Sequence, residues 1–312
     1  MQRRKNIRLI ISLVALVICT LLIFVFSSEQ TNSSINKALF RLENLEKIDH
    51  IQLESSKGKT DLKFNGTKWM VDGQHEADRQ IITVLFATLK QTIAKRKVAT
   101  ALQDSIRKQI NKNGIKVSCF EGDRLSKEFW AGGHEQRTET YFQLSDGVPY
   151  VVTIPGYRIF VASILELPSN DWRDKRVFNF NWQNFKSLKS VLPSDTEQNF
   201  KVSFKDKFFG IDGITSVDTT KLNNYLDAIS LLRAEKILTV DQAKEYDSLT
   251  SQTSFVKIIV QDIANRTYEL KLFPMQKGNN FCIGKMNGTE VIEIKLSAAR
   301  EILRKKEFFI QH

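Results

Sequence analysis

Apolar positions follow three different periods along this chain. Leu9 to Phe26 is apolar apart from Ser12 and Thr20. As a helix, about 18 residues rising ~1.5 Å each would cross the ~30 Å hydrocarbon core of a bilayer. A polar, serine-rich stretch from Ser27 to Lys37 follows and reads as a stalk. Leu39, Leu42 and Leu45 then mark a short amphipathic turn. Further on the period falls to two: Leu62-Lys63-Phe64 and Lys68-Trp69-Met70-Val71 alternate around Asn65-Gly66, which predicts a hairpin with a type I′ turn. Asp72-Gly73 supplies the next turn, and Asp78 is placed to cap a helix. Ile81, Ile82, Leu85, Phe86, Leu89 and Ile93 recur at helical spacing, and Lys95-Arg96-Lys97 ends that helix. Four strands are predicted next, at 115–120, 127–130, 141–144 and 149–154, then a short helix at 159–167.

The same order returns. Phe200, Val202 and Phe204 alternate, Phe208, Phe209 and Ile211 pair back before Asp212-Gly213, and Asp218 precedes Leu222, Tyr225, Leu226, Ile229 and Leu232. Strands at 255–260, 268–273, 280–283 and 290–294 and a basic helix at 298–306 complete it. A shift of 140 positions lays Leu62 on Val202, Phe64 on Phe204, Asp72-Gly73 on Asp212-Gly213 and Asp78 on Asp218. Continued, it lays Ile115 on Phe255, Tyr141 on Phe281 and Val151 on Val291. A fixed, domain-sized period is the mark of a tandem duplication. Hairpin, helix and meander do not alternate as βαβ units. The expected fold is therefore α+β: two similar tandem domains with mostly antiparallel sheets and one main helix each, plus an N-terminal transmembrane helix. The boundaries read as a basic tail 1–8, a transmembrane helix 9–26, a stalk 27–46, a first repeat 47–180 and a second repeat 181–312.

Charge fixes the orientation. Arg3, Arg4, Lys5 and Arg8 precede the apolar run, with no basic cluster just after it. The positive-inside bias then keeps the N-terminus cytoplasmic and puts everything after Ser27 across the membrane. A cleaved signal peptide is the rival, with Val25-Phe26-Ser27 as its cleavage context, but its apolar region usually spans only about 7–15 residues. The chain carries 46 basic and 35 acidic residues, a net charge of +11. That balance suits anionic envelope polymers such as acidic glycans, while the lack of an arginine-rich patch argues against nucleic acid. Cys19, Cys119 and Cys282 have neither disulfide-framework nor metal spacing. Cys119 and Cys282 read as buried free thiols, with a bridge between them as the alternative.

Motifs for chemistry are incomplete. His134-Glu135 starts like a zinc-protease motif, but Thr138 stands where the second histidine belongs. Gly278 to Lys285 has five residues between its glycines instead of four, and Met286 replaces the Ser or Thr of a phosphate-binding loop. Glu121 and Glu139 are a nominal carboxylate pair of the hydrolase kind. No metal ligands, cofactor or catalytic residues are assigned, and a non-enzymatic protein is expected. Three Asn-x-Thr sequons, at Asn65, Asn265 and Asn287, are accounted for largely by turns. The segment singled out is Asp171-Trp172-Arg173-Asp174-Lys175-Arg176. Trp172, Arg173, Asp174 and Lys175 are candidates for a docking interface, because Trp and Arg are enriched at hot spots. The competing reading is a joint between repeats, with Trp172 filling the seam.

The Asn-Gly hairpin into Lys68-Trp69-Met70-Val71-Asp72-Gly73, the Asp78 helix, Gly132-Gly133, Tyr141-Phe142, Val148-Pro149-Tyr150-Val151-Val152 and Asp171-Trp172-Arg173-Asp174-Lys175 together form a pattern. It resembles a bacterial family of uncharacterised single-pass envelope proteins, over roughly Lys47 to Ile310. Members of that family look like auxiliaries of ABC-type export systems related to those of gliding motility. The resemblance implies a non-enzymatic extracytoplasmic accessory or scaffold subunit beside a permease and its ATPase, and it supplies no catalytic residues.

Overall fold

The computed structural model describes residues 13–14, 16–18, 20, 35–42, 44–205, 208–274 and 278–311. Most of the predicted span 9–26, the basic tail and much of the stalk lie outside the described residues. Among the described residues no helix is long and apolar enough to cross a membrane. Leu13, Val14, Leu16, Val17 and Ile18 are helical, with exposed side chains.

The fold is α+β, with two mostly antiparallel sheets. The first contains β1 (His50–Ser55), β2 (Gly58–Phe64), β3 (Trp69–Val71), β4 (His75–Glu76), β5 (Ile93–Lys97), β6 (Ile115–Glu121), β7 (Arg124–Gly133), β8 (Thr140–Gln143) and β9 (Pro149–Thr153). Its order is β4-β3-β2-β1-β6-β7-β8-β9-β5. The second contains β10 (Phe185–Val191), β11 (Phe200–Lys205), β12 (Phe208–Ile211), β13 (Lys236–Ile237), β14 (Val256–Asp262), β15 (Thr267–Leu272), β16 (Phe281–Met286) and β17 (Glu290–Lys295). Its order is β12-β11-β10-β14-β15-β16-β17-β13. Remove β4 and the two orders are the same permutation, so the duplication visible in the sequence is a duplication of topology. Register agrees as well: Leu62 pairs with Val71 and Phe64 with Trp69, as Val202 pairs with Ile211 and Phe204 with Phe209.

Residue contacts divide the chain into two compact units, Met1–Lys59 with Thr83–Glu166 and Thr60–Ile82 with Leu167–His312. In the first unit Phe40 packs edge-on against Phe129, Phe142 and Tyr150, with centroids 5.9, 5.4 and 5.8 Å away. Phe40 and Leu42 are thus core residues, although the pattern placed them in the stalk. In the second unit Leu222, Tyr225, Leu226 and Ile229 of α3 (Thr219–Ser230) join the cluster that holds Leu188, Ile258 and Leu270. Burying each such side chain contributes about 1.5–3 kcal/mol.

Several expectations are corrected. Lys95-Arg96-Lys97 does not end a helix: α1 (Arg79–Gln91) stops before it, and Ile93–Lys97 pairs with β9. Backbone pairing at the sheet edge outweighs helix propensity there. The helix α2 (Thr100–Asn113) has no counterpart in the pattern, because only Ile106 and Ile110 are buried along it. The predicted helix at 159–167 is a 3-10 turn, Val161–Ile164, and the one at 298–306 is α4 (Leu296–Ile302). The Asn65-Gly66 hairpin is not a type I′ turn. Of its loop residues only Gly66 has positive φ, and the Asn65 side chain accepts from the amides of Thr67 and Lys68 at 3.1 and 3.0 Å.

Candidate functional site

The 171–176 segment lies in the second unit, with β3, β4 and the start of α1. A 3-10 turn, Ser169–Trp172, ends with the Trp172 indole fully buried and donating to the Leu167 carbonyl at 3.2 Å. The Trp172 carbonyl accepts the Asp78 amide at 2.7 Å, and Arg173 bridges to Ala77. Asp78 caps α1, accepting from the amides of Gln80 and Ile81 at 2.8 and 3.2 Å, and its other oxygen is ion-paired with Arg233. Arg173, also buried, is ion-paired with Glu290 and donates to Asn170 at 3.5 Å. The Asp174 amide donates to the Glu76 carbonyl at 2.8 Å, while its carboxylate accepts from Arg176 at 2.6 Å. Lys175 donates to Asp171 at 2.9 Å and to the Glu235 carbonyl at 3.1 Å.

These groups border a polar cleft of about 210 Å³ that His75, Glu76, Arg173, Asp174, Arg176 and Tyr268 help to line. Burial and then Arg173 lower the His75 pKa, against the opposing effects of Glu290 and Asp72. The hydrogen bond to Asp174 raises the Arg176 pKa. Charge in the cleft is mutually compensated: Arg173 is paired with Glu290, and Arg176 with Asp174 and Glu76.

The duplication explains the segment. In the second repeat the Asp218 amide donates to the Phe309 carbonyl at 2.9 Å, Val217 bridges to Ile310, and Phe309 is fully buried. Trp172-Arg173 therefore stands where Phe309-Ile310 stands. The next residues open the following repeat: Ala234 donates to the Lys175 carbonyl at 2.7 Å, as Ala94 donates to that of Lys37 at 3.2 Å. Phe178 and Phe40 are both fully buried. One repeat closes and the next begins within this segment.

Residues 69–248, more than half of the chain, match the family model described as Domain of unknown function (DUF4340). The chain belongs to the DUF4340 family. Comparison with curated proteins and with solved structures returned no match. The DUF4340 match takes in Asp78, Trp172 to Arg176 and Arg233, and stops before Glu290.

The four candidate interface residues of this DUF4340 chain are thus brought together, with Trp172 and Arg173 buried and Asp174 and Lys175 paired. Periodicity does not mark Asp78, Arg233 and Glu290 as the residues whose contacts hold this segment. One signal was available: under the 140-residue shift Arg233 falls on Ile93, a charge where the copy is apolar.

The other nominal sites disperse. Glu121 is held by Arg124 and Ser126, and the Arg124 hydrogen bond lowers its pKa. Glu139 is engaged by Arg96 and by Tyr141, whose pKa burial and that carboxylate push up to about 12. His134 accepts from the Gln136 amide at 3.2 Å. Gly284 and Lys285 lie within β16, a strand rather than a phosphate cradle. Cys119 and Cys282 are buried free thiols. Among the described residues no group of three His, Cys, Asp or Glu is placed to hold a metal.

Proposed function

We propose that this DUF4340 chain is a non-enzymatic, extracytoplasmic accessory subunit of an ABC-type transport assembly, anchored by its N-terminal apolar segment and acting through protein–protein contacts. One observation carries the contact reading. β12 is an edge strand of the second sheet, whereas its counterpart β3 is covered by β4. Around that open edge Phe208 is 72% exposed, Phe204 56% and Trp182 42%. Phe204 and Trp182 both pack on Phe209, at 5.2 Å. An uncapped edge beside exposed aromatic rings suits strand addition by a partner. The exposed apolar helical residues Leu13, Val14, Leu16, Val17 and Ile18 support the anchor. The link to gliding-motility-type export systems rests on the sequence resemblance.

The alternative is binding of an anionic envelope polymer through the basic surface. It is the weaker reading, since Arg173, Arg176, Arg233 and Arg266 are each paired with a carboxylate. Purification of the full-length chain from native membranes in mild detergent, with mass spectrometry of what accompanies it, tests the proposal. Permease and ATPase subunits are expected, and are lost with Phe204→Ser/Phe208→Ser. Recovery of the chain alone would sink the transport reading. Salt-sensitive retention on acidic glycan would then favour the polymer.

A further inference from the structure

A second concavity, remote in character from the polar cleft, lies at one end of the second sheet. Its volume is about 370 Å³, and Leu192, Val256, Leu272 and Cys282 are among its walls. These come from the segment after β10, from the start of β14, and from the ends of β15 and β16 that face it. Phe255, half exposed, also borders it, and the Phe255 amide is fixed to the Leu272 carbonyl at 2.8 Å. The walls are apolar with two exceptions, the consecutive cations Arg304 and Lys305, and among the described residues no carboxylate lines it. A cavity of some 300–1,000 Å³ with apolar walls and a few placed polar groups is the usual form of a small-molecule site. At roughly 30 Å³ per heavy atom this one holds about a dozen.

Both cations are already held in place. Arg304 pairs with Glu301 at 3.0 Å and stacks on Phe308, 4.6 Å from the ring centroid. Lys305 pairs with Asp195 at 2.8 Å. Glu301 is exposed and Asp195 half-exposed, and ion pairs open to solvent contribute little. The matching end of the first unit's sheet holds a smaller concavity, about 190 Å³, whose walls include the polar groups of Gln109, His134, Glu135 and Glu166. There the Phe160 ring lies on Gly133, so close that an added Cβ would sit 2.0 Å from it. Among the described residues the rings of Phe255 and Phe273 belong to residues that border the second unit's cavity, and its cations stand beside Leu192, Leu272 and Leu303.

From this charge and shape complementarity we propose that the cavity binds the alkyl chain of a medium-length fatty acid, with the carboxylate received by Arg304 and Lys305. The site is independent of the transport reading. Burial of the chain supplies affinity, and the two cations select an ionised head over a neutral one.

Cys282 provides the test, because it is one of the residues that line the cavity. The full-length chain in neutral-lipid nanodiscs is alkylated with N-ethylmaleimide, and modification of Cys282 and Cys119 is followed by peptide mass. Saturating decanoate is expected to slow Cys282 alkylation at least fivefold and leave Cys119 unchanged. Decanol at the same concentration should protect far less. Arg304→Gln/Lys305→Gln should raise the half-protecting decanoate concentration about tenfold. Cys282→Phe, checked for folding by circular dichroism, should abolish retention of labelled decanoate. The wild-type protection experiment stands even where that variant does not fold. Absence of protection, equal protection by decanol, or indifference to the double substitution would overturn the proposal. So would protection by lysophosphatidylglycerol with none by decanoate.

Discussion

The Arg233 guanidinium is ion-paired with the carboxylate of Asp78, 155 positions earlier in the chain. Asp78 is nearly buried and Arg233 about half exposed, so the carboxylate depends on the pair more than the arginine does. Asp78 also caps α1. Asp78→Ala is expected to cost about 1–2 kcal/mol, chiefly the lost cap, because the half-exposed Arg233 returns to water. Arg233→Ala should cost about 1–3 kcal/mol, because the two amides hold only one carboxylate oxygen and the other, nearly buried, loses its cation. Urea unfolding of both single variants and the double variant checks this. A coupling energy of about 1 kcal/mol is expected, and additivity would show that the pair does not act as one.

Trp172 and Phe309 hold equivalent places, each with its carbonyl accepting the amide of a helix-capping aspartate. Phe309 also packs edge-on against Phe200 and Tyr225, at 5.1 and 5.2 Å. Trp172→Ala should therefore destabilise by about 3–5 kcal/mol, as expected for loss of a fully buried large ring. Trp172→Phe should be much milder, since the second repeat uses Phe in the same role. Lys175→Ala should change stability by less than about 1 kcal/mol. Thermal unfolding orders the three, and a Trp172→Ala variant as stable as Lys175→Ala would refute the equivalence.

The duplication was legible where local chemistry repeats. A hairpin, an Asp-Gly turn and an aspartate cap impose the same spacing twice, so the shift of 140 holds from Leu62 to Ile229. It fails at the last hairpin. Tyr141 pairs with Val151, but Val291 pairs with Lys285 rather than Phe281. The connection after β8 is longer than the three residues Asn287–Thr289, and the strand slides to compensate. The core was legible in its periodic parts, while α2 buries too little apolar surface to announce itself. The ion cluster was illegible, because Arg173–Glu290 and Arg233–Asp78 join residues 117 and 155 positions apart. Periodicity constrains which residues share a face and says nothing about which distant charges meet.

His75 makes the second unit sensitive to acid. Its folded pKa lies below 6.5, chiefly through burial and the nearby Arg173. Between that folded value and about 6.5, the unfolded chain binds the proton more readily than the folded one. Stability should therefore decline as the pH falls below about 6.5 and level off once the folded histidine is itself protonated. Urea midpoints compared at pH 7.5 and pH 5.5 in the wild type and His75→Gln isolate the effect. The substitution should flatten the slope over that window, and an unchanged slope would assign it to other groups.

Gly133 is required by packing rather than by backbone conformation. Its φ is not in the positive range, so the main chain itself tolerates a side chain. An added Cβ, however, would stand 2.0 Å from one Phe160 ring carbon and 2.4 Å from another. The ring is also pinned from its other contacts, with the Arg137 guanidinium 5.3 Å from its centroid and Arg137 ion-paired with Glu166. Gly133→Ala should thus cost about 1–3 kcal/mol by overpacking. Phe160→Ala removes the obstruction, so Gly133→Ala should cost clearly less in that background, apart from the approach of its Cβ to the Glu139 carbonyl at 2.8 Å. Urea unfolding of the cycle reads the difference directly. Equal costs in both backgrounds would place the constraint on the main chain instead of the ring.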